Sequence, residues 1–382
     1  MQDVDNICFI VPNYPTHNDP VYTFVKELVC SIADLGIRCT VIAPQSITNL
    51  IYKRKRRRPY YWQDISDGNN KVDIYQPISL SFADFRIFGM SPTRFFSERA
   101  IIKTFDKINI SPNVLYAHFW HSGVTAGIIG KKYNLPVFVA TGESKIWVKN
   151  LYREKKLYLN LEQTKGVISV STKNMQESID LKLTSKQKVE VIPNSINNKL
   201  FFPMNKTAVR KKLGFNQEDF IVAYIGAFSH RKGVLRLSEA IEKVPGVKSI
   251  FIGSGNLKVD CEGVLFSGRL PHDQIVNYLN AADVFVLPTL AEGCCNAIIE
   301  AMACGLPIIS SDASFNDDIL NEQNSIRVDS SNTSQIANAI KYLKDHPVNR
   351  TEMANASLRA AKELEISNRA NRIIDFINRM VD

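Results

Sequence analysis

Leu287-Pro288-Thr289-Leu290-Ala291-Glu292-Gly293-Cys294-Cys295-Asn296-Ala297-Ile298-Ile299-Glu300-Ala301-Met302-Ala303-Cys304-Gly305-Leu306-Pro307-Ile308 is the most informative stretch of the chain. It leaves one apolar, strand-like run at 284–287 and enters another at 308–310. Between them Pro288 closes the first strand and Glu292-Gly293 falls in a loop. Residues 296–303 then have helical spacing, and Gly305-Leu306-Pro307 stops that helix. The backbone N–H groups of Cys294, Cys295 and Asn296 therefore lie at a helix start, where the first turn has donors left over for a phosphate or for sugar oxygens. Glu300 sits inside the helix near its C-terminal end. A carboxylate there opposes the helix dipole unless a ligand hydroxyl uses it. Adjacent cysteines seldom pair without strain, so Cys294 and Cys295 read as small side chains that let backbone approach a ligand.

Working outward, strand-like runs alternate with helical periodicity in both halves. In the first half, strands are expected at 7–11, 40–43, 114–118, 137–140, 167–170 and 189–192, with helices at 22–35, 123–133 and 173–179. Residues 45–90 read as irregular. In the second half, strands are expected at 221–225, 249–252, 264–266, 284–287, 308–310 and 326–328. Helices are expected at 234–244, 272–280 and 296–303, then at 334–344, 350–364 and 368–380. Short strands bridged by helices call for parallel sheets covered on both faces. The expected fold is α/β, with two Rossmann-like domains and an active site in the cleft between the carboxyl ends of their strands. Gly253-Ser254-Gly255 follows a strand, but Lys258 stands where a third glycine would complete G-x-G-x-x-G. A plain dinucleotide-binding dehydrogenase loses support.

Length and composition agree with two domains. The 382 residues exceed one usual core, and 45% hydrophobic with 22% charged residues excludes disordered or collagen-like chains. No run of about 18 apolar residues exists to span a bilayer. The first residues are acidic where a secretory signal is basic. Seven cysteines without a C-x-x-C spacing suit a reducing cytoplasm better than a disulfide framework.

The net charge of +9 is unevenly placed. Residues 1–195 carry 26 Lys+Arg and 17 Asp+Glu, a difference of +9, whereas residues 196–382 carry 21 of each. Six of the cations are Lys53, Arg54, Lys55, Arg56, Arg57 and Arg58, beside Tyr60, Tyr61 and Trp62. Such a segment fits a solvated loop or an anionic membrane surface. Nucleic acid is a weaker third reading, because no nucleic-acid-binding motif accompanies the charge.

The pattern L-P-x-x-x-E-G-x7-E-A-M-A-C-G-x-P-I resembles the C-terminal signature of family 4 glycosyltransferases. Residues 191–197 (V-I-P-N-S-I-N), 224–233 (Y-I-G-A-F-S-H-R-K-G) and 265–270 (L-F-S-G-R-L) resemble further landmarks of that family. The resemblance is strong over 190–310 and holds elsewhere only in outline. It implies a GT-B fold and retaining, nucleotide-sugar-dependent transfer to a hydroxyl. The implied domains are 1–190 for the acceptor and 191–365 for the donor, with a helix at 366–382 crossing back to the first.

The resemblance also implies residue roles. Lys232 binds the donor diphosphate, with Arg231 standing in for an arginine that is Ala227 here. Gly226, Gly293, Cys294, Cys295 and Asn296 lie along the donor, Arg269 and Leu270 frame the base, Glu300 takes the ribose diol, and Glu292 faces the donor sugar. The family's glycine loop after the first strand is absent at 13–20. Its acceptor-side histidine is absent too, since 141–144 reads Thr-Gly-Glu-Ser, which leaves His118, His121 or Glu143 as replacements. No cofactor and no metal are expected.

The setting suggested by analogy is a lipid-linked glycan in bacterial surface polysaccharide assembly, cytoplasmic and peripheral on the inner membrane face. A sugar-nucleotide epimerase and a non-catalytic glycan- or membrane-binding relative are the alternatives.

Overall fold

The computed structural model describes residues 4–16, 21–48, 57–82 and 91–381. The chain divides into two compact units. One is Met1–Ile192 with Ile366–Asp382, and the other is Pro193–Glu365.

The first unit is built on strands β1 (Asn6–Ile10), β2 (Arg38–Ile42), β3 (Gln45–Ser46), β4 (Tyr61–Ile65), β5 (Lys71–Tyr75), β6 (Ile78–Ser79), β7 (Val114–His118), β8 (Val137–Thr141), β9 (Thr164–Ser169) and β10 (Val189–Val191). Eight of them form one sheet in the order β10-β9-β8-β7-β1-β2-β5-β4, and β3 pairs with β6 apart from it. All pairs in the large sheet are parallel except β4 with β5. Every residue of β1, β7 and β8 is buried, as expected where helices cover both faces. Those helices are Thr23–Ala33, Pro92–Lys107, Trp120–Tyr133, Glu154–Leu161 and Thr172–Asp180.

The C-terminal helix Ile366–Val381 also belongs to this unit. Its buried face carries Ala370, Ile373, Phe376 and Ile377, and Phe376 meets Phe138 edge-on at 6.1 Å. Arg369 donates to the Ile192 carbonyl at 3.1 Å, and Arg372 to that of Val191 at 3.0 Å.

Residues 45–90 are not wholly irregular. They supply β4 and β5, an antiparallel hairpin in which Asp64 faces Val72 and Trp62 faces Ile74. The connection is closed from a distance by Asp34. Its carboxylate accepts from Gly68 N (3.1 Å), Asn70 Nδ2 (3.0 Å) and Ser66 Oγ. Only Val72 and Ile74 of β5 and Asp64 of β4 are buried, so the strands lack the apolar run that marks a strand in sequence. Helices Pro92–Lys107, Glu154–Leu161 and Lys206–Leu213 were not expected either.

The second unit holds β11 (Phe220–Ile225), β12 (Val247–Ile252), β13 (Val264–Gly268), β14 (Val284–Leu287), β15 (Ile308–Ser311) and β16 (Ser325–Val328). They run parallel in the order β13-β12-β11-β14-β15-β16, the doubly wound arrangement whose direction reverses between β11 and β14. Loops leaving the carboxyl ends of those two strands are where such a sheet receives a ligand. They contain residues 226–233 and 288–295. Among the described residues, no helix is long and apolar enough to cross a membrane.

Candidate donor-binding site

Two loops meet at this switch point and are tied into one body. Gly233, with φ +77°, starts the helix Val234–Glu242, and a Cβ there would lie 2.3 Å from the Pro288 carbonyl. Only glycine allows both that dihedral and that approach. Arg231 O accepts from Leu290 N at 2.8 Å, while Arg236 donates to the carbonyls of Pro288 (2.8 Å), His230 (2.9 Å) and Ser330 (2.7 Å). The neighbouring β12 loop is equally close: a Cβ on Gly253, φ +151°, would lie 1.9 Å from Gly226 O.

These loops bring Arg231, Lys232 and Glu292 together. Glu292 Oε1 accepts from Lys232 Nζ at 2.7 Å, Arg231 Nη1 at 2.7 Å and Thr289 Oγ1 at 2.9 Å. Arg231 Nη1 also donates to Ala291 O. All three recorded bonds end on Oε1, so Oε2 has no hydrogen bond recorded among the described residues. Burial works against the Lys232 ammonium, but the Cys295 sulfur and the Glu292 carboxylate outweigh it and hold its pKa above the usual lysine value. Cys295 lies 4.0 Å from Lys232 Nζ at the N-cap of helix Asn296–Ala303. Burial pushes its thiol up, against the pull of Lys232 and of the first-turn N–H groups of Ile298 and Ala297. Cys294 and Gly293 are buried beside it, and Asn194 Nδ2 holds the turn through Cys294 O (3.0 Å) and Asn296 Oδ1 (2.7 Å).

Glu300 stands further along the same helix with its side chain 12% exposed, and His272 Nε2 lies 3.1 Å from its Oε1. As with Glu292, no hydrogen bond to Oε2 is recorded among the described residues. Arg269 is exposed and donates to Ser254 Oγ at 2.5 Å, and Leu270 leads from it into helix His272–Ala281. Thr289 and His272 were not singled out from the sequence. Neither forms a motif alone, because each acts by holding a carboxylate that is distant from it or on another turn.

The first unit treats its candidates differently. His118 is buried against Phe24 (5.3 Å) and Phe119 (5.1 Å). Burial, then the Arg369 guanidinium and the His121 ring, pushes its pKa down to about 3. His121, stacked on Phe119, is pushed down to about 4 by burial and by Arg94. Both rings are neutral at physiological pH. Glu143 accepts from Trp120 N (3.0 Å), Thr141 Oγ1 (2.7 Å) and Gly142 N (2.9 Å), so it caps helix Trp120–Tyr133. Burial raises its pKa and those bonds pull it back only partly.

Of the basic segment, Lys53, Arg54, Lys55 and Arg56 lie outside the described residues. Arg57 is exposed. Arg58, expected on the surface, instead donates to Asn13 Oδ1 (2.8 Å) and Tyr14 O (2.7 Å). Trp62 is likewise turned from solvent: its Nε1 donates to Gln76 Oε1 at 3.0 Å and its ring meets Tyr14 at 5.9 Å. Tyr60 is 47% exposed. Among the described residues, no cluster of three or more His, Cys, Asp or Glu is arranged to hold a metal ion.

The doubly wound unit thus carries a paired lysine and two carboxylates at its switch point, where such sheets receive a ligand. A family model described as "Glycosyl transferases group 1" matches residues 205–361, and one described as "Glycosyltransferase Family 4" matches residues 21–200. The chain belongs to the family 4 glycosyltransferases and has their GT-B fold. It is 27% identical to the putative teichuronic acid biosynthesis glycosyltransferase TuaC of Bacillus subtilis over 367 residues, 91% of this chain and 92% of the relative. It is 25% identical to the UDP-Gal:alpha-D-GlcNAc-diphosphoundecaprenol alpha-1,3-galactosyltransferase of Escherichia coli over 294 residues, 70% and 76% of the two chains. Among solved structures, sucrose-phosphate synthase from Thermosynechococcus elongatus superposes with a TM-score of 0.79 at 18% identity, covering 98% of this chain and 99% of that one.

Proposed function

We propose that this glycosyltransferase moves a sugar from a UDP-sugar to a hydroxyl of a lipid-linked glycan, with retention at the anomeric carbon and without a metal cofactor. The observation that carries the reading is the Lys232–Glu292 pair at the β11/β14 switch point, with Glu300 one helix further on. The donor diphosphate replaces Glu292 as the partner of Lys232 and Arg231. Negative charge then grows on that phosphate as the glycosidic bond breaks, and a fixed ammonium stabilises it. Glu292 Oε2 takes a hydroxyl of the donor sugar, and Glu300 takes the ribose diol. A phosphate oxygen on the same face receives the acceptor proton. The relative from Escherichia coli, whose donor is UDP-Gal and whose acceptor carries diphosphoundecaprenol, supports the choice of donor and acceptor class.

Incubation with a panel of nucleotide-sugars, with and without undecaprenyl-diphosphate-linked sugars, tests this. Transfer with retained anomeric configuration, read by NMR of the product, is the expected result. Conversion of the donor to another nucleotide-sugar without acceptor would instead identify an epimerase. Glu300→Ala should weaken UDP binding by about 100-fold, because two charge-assisted hydrogen bonds at about 1.5 kcal/mol or more each are lost. Calorimetry showing unchanged affinity would remove Glu300 from the donor site.

A membrane-facing acceptor unit suits such an acceptor. Phe95, Arg99, Lys103 and Lys107 recur at four-residue spacing along helix Pro92–Lys107, and all are exposed. Tyr60 Oη reaches Thr104 of the same helix, which brings Tyr60 alongside. Each basic group near an anionic surface contributes about 1 kcal/mol. Replacing Lys53 to Arg57 with glutamine, while keeping Arg58 for its inward bonds, should therefore weaken binding to phosphatidylglycerol vesicles at least about tenfold and leave UDP affinity intact. Surviving vesicle binding would mean that the segment is only solvated charge.

A further inference from the structure

We infer that His272 is a positioning residue for nucleotide recognition: it holds Glu300 so that the carboxylate can receive a ribose 2′-hydroxyl. The inference rests on the placement of Glu300 at the ribose, as proposed above. A carboxylate only accepts, so the bond between His272 Nε2 and Glu300 Oε1 at 3.1 Å is donated by the imidazole N–H. That bond places a proton on Nε2 and aims the other carboxylate oxygen. His272 is itself held in place. It is the first residue of helix His272–Ala281, and its ring meets buried Phe201 edge-on at 5.1 Å.

The arrangement solves a problem that Glu300 has by itself. A glutamate side chain has three rotatable bonds, and here it projects from helix Asn296–Ala303 with its side chain 12% exposed. Freezing such a side chain at the moment of binding costs conformational entropy that comes out of nucleotide affinity. A donor fixed before the ligand arrives removes most of that cost. The effect is directional, because it favours a ligand that presents a hydroxyl at the point where Oε2 is aimed. His272 should therefore matter more for a ribonucleotide than for its 2′-deoxy counterpart.

Titration calorimetry with UDP against 2′-deoxy-UDP, and with GDP against 2′-deoxy-GDP, reads this without depending on the acceptor or on the base. The proteins are wild type, His272→Ala, His272→Gln and Glu300→Ala. One charge-assisted hydrogen bond corresponds to a wild-type preference for the ribonucleotide of about tenfold or more. His272→Ala should reduce that ratio to about threefold or less. His272→Gln, whose Nε2 donates from a similar reach, should restore most of it. Glu300→Ala should abolish it.

A merely structural role would weaken both members of a nucleotide pair equally and keep their ratio, which would overturn the inference. If His272→Ala keeps the ratio while Glu300→Ala flattens it, the positioning role fails and the ribose assignment stands. If Glu300→Ala keeps the ratio, or wild type shows none, the ribose assignment itself is wrong and the inference fails with it.

Discussion

Replacing Lys232 with methionine should lower kcat by about 10²–10³-fold, the cost seen when one preorganised donor to a developing charge is removed. Methionine keeps most of the apolar stem, so packing is disturbed little and the missing group is the ammonium. Nothing in the resting site should collapse, because Glu292 Oε1 keeps its bonds from Arg231 and Thr289. The variant should thus melt within a few degrees of wild type while losing turnover. UDP affinity should fall by less than kcat, since the diphosphate gains charge only as the sugar departs. Arg231→Met is the control: its side chain is 43% exposed against 13% for Lys232, so water screens it more and its loss should cost less. Lys232→Met with kcat within about threefold of wild type would show that the leaving diphosphate is stabilised elsewhere.

The segment that carries both carboxylates of the candidate site was legible because its parts are consecutive in sequence. Residues 287–308 contain a strand end, a loop, a helix start and both carboxylates, and the expected bounds 284–287 and 296–303 coincide with β14 and its helix. The sheet was legible for a related reason. Strands buried on both faces read as apolar runs, and β11, β14 and the 250–252 end of β12 do.

What stayed hidden depends on contacts between distant residues. The hairpin β4–β5 sits at the sheet edge with few buried residues, and its turn is closed by Asp34, more than thirty residues earlier. Thr289 and His272 gain meaning only once Glu292 and Glu300 lie beside them. Arg58 and Trp62 looked like surface groups by composition, yet the loop after β1 and Gln76 draw them inward. His118 and Glu143 stand at strand ends as expected. The one is packed among aromatic rings and the other caps a helix, which sequence position alone does not reveal.

Arg210 is the strongest case of a residue whose sequence context misleads, and its loss should be the most damaging change to stability. In the helix Lys206–Leu213 it is one of four cations, a composition that usually marks a solvated face. Instead it is 3% exposed. Its guanidinium donates to Asp283 Oδ2 (2.7 Å) and to the carbonyls of Ala281 (2.9 Å), Gln217 (2.7 Å) and Asp219 (2.9 Å). Asp283 Oδ2 in turn accepts from Ile221 N at 2.8 Å, and Lys206 reaches Oδ1 at 2.9 Å. The network thus pins the start of β14 to the start of β11, the two strands whose far ends carry the donor loops. Arg210→Ala leaves Asp283 buried with only half-exposed Lys206 as a charged partner and strips three carbonyls of their donor. Breaking a buried pair in this way costs about 3–5 kcal/mol. The expected reading is faster amide hydrogen exchange in β11 and β14 by about two orders of magnitude or more, with UDP binding lost as the strands open. Arg210→Met with Asp283→Leu, which removes both charges together, should recover part of the protection, because the penalty belongs to the orphaned carboxylate rather than to the missing arginine. Unchanged exchange in Arg210→Ala would mean that water reaches Asp283 and that the strands are held by their apolar faces alone.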